Sequence, residues 1–222
     1  MTETARAIST KDRILDAAER LFAEHGFAQT SLRDITAEAG VNLAAVNYHF
    51  QSKDHLIAAV FDRRIGPLNE QRLAALDRLE SEAAGRPLAV EDLLRAVLEP
   101  VLRMASTPEG GVFAANLIGR AHTEPGDVFE HLFTGQFAPV ITRVMAAARR
   151  SLPDLPEVEL LWRLQFTIGA MSHTIAGQRH IKVVTGGRCD TSDVDGMLDR
   201  LITFVAAGCR APVVPRTKGE PA

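Results

Sequence analysis

Residues 31–53, SLRDITAEAGVNLAAVNYHFQSK, combine two short helix patterns around a single glycine. Ser31 and Asp34 have the spacing of a capping box, which predicts that a helix begins at this serine. Gly40 can adopt a left-handed conformation without a steric penalty, so it predicts the end of that helix and a sharp turn. Asn42 is a favourable N-cap for the second helix. This order is typical of a helix-turn-helix unit, whose second helix enters the major groove of DNA.

The second short helix is more polar than a helix of a protein core. Val41, Val46 and Phe50 can face inward, but the polar side chains cannot all do so. Asparagine can bond two edge atoms of an adenine, and Tyr, His and Lys can reach phosphate oxygens. A solvated helix face beside a turn has the same composition, so this pattern alone leaves both interpretations open. The polar positions are Asn42, Asn47, Tyr48 and His49.

Composition limits the class of protein. The chain has 222 residues, of which 46% are hydrophobic, enough for a core in one or two domains. The charged residues among the first twenty positions argue against a secretory signal. The most apolar stretch, 158–177, contains Glu159, Arg163, Gln165 and His173, which argues against a membrane span. We therefore expect a cytoplasmic protein without a membrane partner.

The charge balance argues against a protein that coats nucleic acid indiscriminately. The net charge is −3, and residues 1–55 hold six Lys/Arg against eight Asp/Glu. DNA binding would therefore rest on a few placed contacts and helix N-termini rather than on bulk charge. A dimer tolerates this because it presents each contact twice. A DNA-packing protein without sequence preference is disfavoured for the same reason.

The helical patterns predict an all-α fold: an N-terminal three-helix helix-turn-helix domain, then a helical ligand-binding and dimerisation domain. Ser9 and Asp12 form another capping box, and Gly26 ends the helix that they open. A helix from Lys53 is expected to link the domains, with a bend at Gly66–Pro67 and a loop over 80–87. The predicted divisions are 1–55 for DNA binding, 56–210 for ligand binding and dimerisation, and 211–222 for a disordered tail.

Catalysis is not expected. The seven histidines form no HxxxH or HExxH pair, and the chain has neither a phosphate loop nor a GxSxG nucleophile elbow. No CxxC pair accompanies Cys189 and Cys209, which read as free thiols. We expect no enzyme activity, no cofactor and no metal.

The second half of the chain leaves two questions open. Its last two helices carry small residues among large ones and can either form a four-helix bundle with a second copy or pack inside one chain. The middle helices, roughly 90–150, are rich in apolar residues. Ordinary core packing and an apolar ligand pocket need the same residue types, so sequence does not separate them.

Two segments, ILDAAERLFAEHGFAQTSLRDITAEAGV and YHFQSKDHLIAAVF, resemble the DNA-binding domain of the TetR family of repressors. Most of that family has an aromatic residue at the position of Asn47. NLAAVNYHF, ELLWRLQFTIGAMSHTIAG and RLITFVAAGCRA resemble the PsrA-type branch, which also has asparagine there. The resemblance implies a homodimeric repressor of a near-palindromic double-stranded DNA operator, controlling fatty-acid or lipid metabolism with a fatty acid or acyl-CoA as effector. The alternative is a TetR-type repressor of an efflux or detoxification gene that responds to another apolar small molecule.

The resemblance also implies two sets of contact residues. At the DNA, hydroxyl and cationic groups bind phosphates, the two asparagines reach base edges, and small apolar residues approach a thymine methyl. The predicted DNA-binding residues are Thr30, Arg33, Asn42, Leu43, Ala44, Asn47, Tyr48, His49 and Lys53. The predicted effector-binding residues are Leu98, Leu102, Phe113, Leu117, Arg120, Phe133, Phe137, Arg163, Phe166 and His173.

Overall fold

The computed structural model describes residues 9–113 and 136–213. Every regular element within these ranges is helical, which confirms the predicted all-α fold. The helices are α1 (Thr10–His25), α2 (Leu32–Ala39), α3 (Leu43–Phe50), α4 (Lys53–Ala83), α5 (Val90–Ala105), α6 (Pro108–Phe113), α7 (Ala138–Ser151), α8 (Glu157–Ala176), α9 (Gln178–Val184) and α10 (Val194–Arg210). None of these helices has the length and hydropathy needed to cross a membrane.

Helix α1 begins and ends where its capping residues predict. The Ser9 hydroxyl oxygen accepts a hydrogen bond from the Asp12 amide, and Gly26 follows the last residue of the helix. Phe22 is fully buried, and its ring meets Phe27 edge-on with centroids 5.4 Å apart. Phe27 in turn lies 6.1 Å from Phe61 of α4. These aromatic rings form the centre of the small core under the helix-turn-helix pair.

Helix α4 is longer than its sequence predicts. It continues without interruption through Pro67 to Ala83, so the predicted loop from residue 80 begins too early. Burial of apolar side chains on both sides of the proline, Ile65 and Leu76 among them, offsets the amide hydrogen bond that a proline removes. Ion pairs hold the last turns as well, because the Glu80 carboxylate accepts hydrogen bonds from two arginines of α7. These arginines are Arg143, at 2.5 Å, and Arg150, at 2.6 Å.

The chain divides into two compact units. The first lies within Met1–Gln71 and Met104–Val140, and the second within Arg72–Arg103 and Ile141–Ala222. Helix α4 belongs to both units, and the expected domain boundary after residue 55 falls inside it. The functional division at that point stays a prediction. Residues 214–222 of the predicted disordered tail lie outside the described residues.

A buried apolar cluster in the second unit joins α5 and α10. Leu98 and Leu102 are buried in one cluster with Leu198 and Ile202. An ion pair closes one edge of this contact, because the Arg210 guanidinium donates two hydrogen bonds to the Glu91 carboxylate, each of 2.5 Å. These bonds lower the pKa of Glu91 from 4.5 to about 2. Most of the apolar residues of α10 are thus buried in this cluster within the protomer.

Candidate functional site

The α2 helix is capped at both ends, and one long-range contact holds the turn that follows it. Ser31 and Asp34 form the predicted capping box at the start of α2, and Gly40 adopts the predicted left-handed conformation at its end, with φ 62°. The contact at the turn was not predicted: the Arg13 guanidinium of α1 donates hydrogen bonds to the carbonyl oxygens of Ala39 and Gly40. A cation at the C-terminal end of α2 also suits the helix dipole. Arg13 thus fastens the turn to α1.

Helix α3 has one buried side and one solvent-facing side. Its N-cap Asn42 accepts a hydrogen bond from the Ala45 amide at 2.9 Å, as the sequence predicts. Val46 and Phe50 are buried. Tyr48 is 83% exposed, so its phenol projects from the surface of the protein. The exposed residues of this helix and its cap, called the reading face below, are Asn42, Leu43, Ala44, Asn47, Tyr48 and His49.

The other predicted DNA contacts lie outside the reading face, and the structure contradicts one of them. Thr30 is only 2% exposed, and its hydroxyl donates toward the carbonyl oxygens of Gly26, at 2.8 Å, and Leu21, at 3.2 Å. The predicted phosphate contact from Thr30 is therefore wrong, because its hydroxyl closes the loop between α1 and α2. Arg33 is exposed, and Lys53 is half-buried at the start of α4.

Three other arginines of the first unit are engaged in ion pairs. Arg20 of α1 pairs with Glu38 of α2. Arg63 and Arg64 of α4 both bond the Glu19 carboxylate of α1, at 2.5 and 2.8 Å. Any contact of these three arginines with DNA would therefore require breaking an ion pair.

A strained residue joins the reading face to α4. Gln51 has φ 64° and ψ −46°, and the Ser52 amide donates to the Phe50 carbonyl oxygen at 2.7 Å. This is a γ-turn with positive φ, a rare and strained conformation for a residue other than glycine. The turn sets the direction in which α4 leaves α3.

Replacing Gln51 by Gly should therefore stabilise the protein, by about 1 kcal/mol, because glycine adopts positive φ without a steric penalty. Gln51→Ala is the matched control: it removes the amide group but keeps the strain, so its stability should stay within about 0.5 kcal/mol of the parent. Urea unfolding of the three proteins measures both effects. A Gly variant no more stable than the Ala variant would show that the turn is unstrained.

The predicted effector-binding residues do not form one described pocket. Leu98 and Leu102 lie in the core of the second unit. Phe113 belongs to the first unit, where its ring meets Phe61 edge-on with centroids 5.5 Å apart. Phe137, also of the first unit, is half-buried. The remaining predicted residues of the middle segment, Leu117, Arg120 and Phe133, lie outside the described residues.

Two further predicted effector-binding residues have contacts that the sequence did not predict. The Arg163 guanidinium donates to the carbonyl oxygens of Cys209, at 2.5 Å, and Ala211, at 2.8 Å, so it caps the end of α10, and Arg163 also lines the small cavity described next. Phe166 is 65% exposed and stacks on Trp162 with centroids 5.8 Å apart, so it faces outward. Periodicity identified the stripe of α8 on which each residue lies, but not what that stripe contacts.

A small apolar cavity lies inside the second unit, among α5, α7, α8 and α10. Its volume is about 60 Å³, and its walls include Leu94, Val97 and Met145. Ligand pockets are usually about 300–1,000 Å³. An effector can enter here only if these helices move apart.

Exposed apolar side chains form what is called the outer stripe below. On α8 it follows the spacing of one helix face, and each of its residues is at least half exposed. Gly169 follows Phe166 by three positions and Gly208 follows Phe204 by four, and a Cβ atom added to either glycine would meet nothing within 4 Å. The outer stripe consists of Val158, Leu161, Trp162 and Phe166 on α8 and Phe204 on α10.

Comparison with known proteins places this architecture in a family. Residues 14–60 match the bacterial regulatory proteins of the tetR family, and residues 95–208 match the tetracyclin repressor-like C-terminal domain. The chain therefore belongs to the TetR family. Its matched segment spans less than half of the length of the first curated relatives.

Individual relatives differ in what their names say they bind. The transcriptional regulator AcrR of Shigella flexneri is 35% identical over 104 residues, which are 46% of this chain and 45% of AcrR. SmeT, the repressor of a multidrug efflux pump of Stenotrophomonas maltophilia, was solved with triclosan. That structure is 25% identical with a TM-score of 0.57, covering 96% of this chain and 98% of SmeT. FadR of Bacillus subtilis with stearoyl-CoA is 14% identical with a TM-score of 0.54, covering 88% and 97%, which shows a shared fold alone.

Proposed function

We propose that this protein is a dimeric, ligand-responsive transcriptional repressor of the bacterial cytoplasm. The observation that carries the proposal is the reading face, in which polar residues of α3 are exposed together. Asn42 and Gln51 cap this helix, and Arg13 holds the turn that precedes it. A helix presented in this way can enter the major groove with its side chains already oriented. Family membership supports the same function.

In the proposed complex, each protomer places the reading face in one of two successive major grooves of a near-palindromic operator. Asn47 reads a base edge, and Tyr48, His49 and Lys53 contact phosphates. Asn42 contributes through its amide nitrogen, because its oxygen already accepts the Ala45 amide hydrogen bond. Leu43, Ala44 and Arg33 complete the contact surface.

Replacing Asn47 by Ala should weaken operator binding by about 1–3 kcal/mol, the discrimination expected of a good bidentate base contact. Helix α3 should stay folded, because Asn47 is exposed and the Asn42 cap is untouched. Fluorescence anisotropy on operator and on scrambled DNA measures the effect. An equal loss on both DNAs would show that Asn47 contacts the backbone and reads no base.

Dimerisation is proposed to occur through the outer stripe. An exposed apolar patch on a soluble domain is typical of an interaction surface. The open glycines beside it permit close approach of a second helix. Two copies of α8 and α10 around a two-fold axis would form a four-helix bundle and present two reading faces to one operator.

The proposed effector is a fatty acid or an acyl-CoA. The resemblance of α3, α8 and α10 to the PsrA-type branch supports it. Because the cavity near Leu94 is small, the ligand is expected to separate the helices around it. Helix α4 is one continuous helix that belongs to both units, and we propose that it carries the effect of the ligand to the reading face. A hundredfold change in operator affinity requires a coupling of about 2.7 kcal/mol.

Fluorescence anisotropy with DNA from upstream of the protein's own gene tests this proposal, with scrambled DNA as the control. Specific binding that oleoyl-CoA or oleate abolishes would support a fatty-acid-responsive repressor. Specific binding that neither ligand changes would reject the acyl effector and point to another apolar ligand, such as the substrate of an efflux pump. Equal binding to both DNAs would reject the repressor.

A further inference from the structure

A groove in the second unit is lined by only one of the residues that the sequence predicts to contact DNA or an effector, His173. It is formed by the end of α8, by α9, by the loop that follows and by the first turns of α10. Its volume is about 470 Å³, within the usual range for small-molecule sites of about 300–1,000 Å³. The groove is therefore large enough for a ligand without any rearrangement of the core.

The floor of the groove is apolar. Ile181 of α9 is 39% exposed and offers contact surface to a ligand, whereas Phe204 of α10, which is 73% exposed in the protomer, is assigned to the outer stripe. Met197 and Leu201 lie deeper between them in the same lining. Such a surface favours an alkyl chain or a ring over a fully polar ligand.

The rim carries both charges, and hydrogen bonds within its turns hold its two acids in place. The Asp190 carboxylate accepts hydrogen bonds from the Ser192 amide, at 2.9 Å, and from its hydroxyl, at 2.6 Å. Asp193 caps α10 by accepting the Gly196 amide hydrogen bond at 2.8 Å. Both carboxylates are thus held in the turns that shape the rim.

The rim arginines keep donors for a ligand. Arg200 lies 3.8 Å from Asp193, too far for a hydrogen bond, and its side chain is 77% exposed. Arg188 is exposed on the loop. Guanidinium groups bind carboxylates through parallel hydrogen bonds, which selects an anion with a planar head group.

We propose that this groove binds a small amphipathic carboxylate, with its apolar part on Ile181 and Met197 and its head group on Arg188 and Arg200. The site does not depend on the proposed DNA function, since all of its residues belong to the second unit. It is also separate from the small cavity inside that unit. The exposed guanidinium groups of Arg188 and Arg200 favour an anionic head group, and the test below compares it with a cation.

Isothermal titration calorimetry of the full-length protein with decanoate tests the proposal, with decyltrimethylammonium as the control for charge. Decanoate should bind one site per protomer, and the cation about tenfold more weakly or not at all. Arg188→Glu/Arg200→Glu should weaken decanoate binding at least about tenfold. Arg86→Glu, at an exposed arginine outside the groove, should leave it unchanged.

A second variant tests the floor. Ile181→Glu places a carboxylate in the groove without disturbing the core, because Ile181 is 39% exposed. It should also weaken decanoate binding about tenfold. Phe204 is avoided because it also belongs to the outer stripe. Three results would overturn the proposal: no saturable binding of decanoate, equal binding of the cation, or decanoate binding that both groove variants leave unchanged. No DNA measurement enters this test.

Discussion

Replacing Phe166 by Asp should separate the proposed dimer into folded protomers. Phe166 is 65% exposed in the protomer, so the substitution leaves the core intact. In a dimer formed by the outer stripe, the same position is covered, and an unpaired carboxylate taken out of water costs several kcal/mol. The dimer dissociation constant should therefore rise by about 1,000-fold, equivalent to about 4 kcal/mol. Sedimentation equilibrium measures this change directly.

Val183→Asp is the matched control for Phe166→Asp. Val183 lies on α9 outside the outer stripe and is 80% exposed, so it takes the same charge at a similarly exposed apolar site. Its dimer should be unaffected, and its operator affinity should match that of the parent. Phe166→Asp should lose operator affinity at least about 100-fold, because a single reading head contacts only half of the operator. A Phe166→Asp protein that remains dimeric would place the interface elsewhere.

Local capping signals explain why the helix-turn-helix could be predicted from sequence. Ser9, Ser31 and Asn42 each bond an amide within their own first turn, and Gly40 needs only its own backbone freedom. Such contacts involve residues three positions apart, so their spacing is visible in the sequence. The reading face follows directly, because the buried Val46 fixes which side of α3 turns outward.

Contacts between distant parts of the chain could not be predicted in this way. Arg13 meets the α2 turn, and Arg163 meets the end of α10, across long separations that leave no spacing signal. Thr30 has a hydroxyl group that could contact a phosphate, but the loop between α1 and α2 buries it. In α10, Leu198 packs inside the protomer while Phe204 faces outward. Periodicity groups residues into stripes, and only the tertiary fold determines which partner each stripe meets.

Replacing Gly40 by Ala should destabilise the helix-turn-helix turn by about 3 kcal/mol, through two effects. An L-residue in the left-handed region costs about 1–2 kcal/mol. A Cβ at this position would also lie 2.9 Å from a guanidinium nitrogen of Arg13, and would push it from the carbonyl oxygens of the turn. Hydrogen bonds to a charged group contribute about 1.5–3 kcal/mol, and the partial exposure of this contact favours the lower value. Hydrogen exchange of the α2 and α3 amides measures the local free energy of opening.

Two controls separate the effects at Gly40. Gly186 has φ 59°, and a Cβ there would meet nothing within 4 Å, so Gly186→Ala isolates the backbone strain and should cost only about 1–2 kcal/mol. In an Arg13→Gln background, Gly40→Ala should likewise cost only the strain, because the displaced contact is already gone. The coupling energy of this double-mutant cycle is then the contribution of Arg13 to the turn. A coupling near zero would mean that glycine is required at position 40 for its backbone conformation alone, and that Arg13 does not hold the reading face in place.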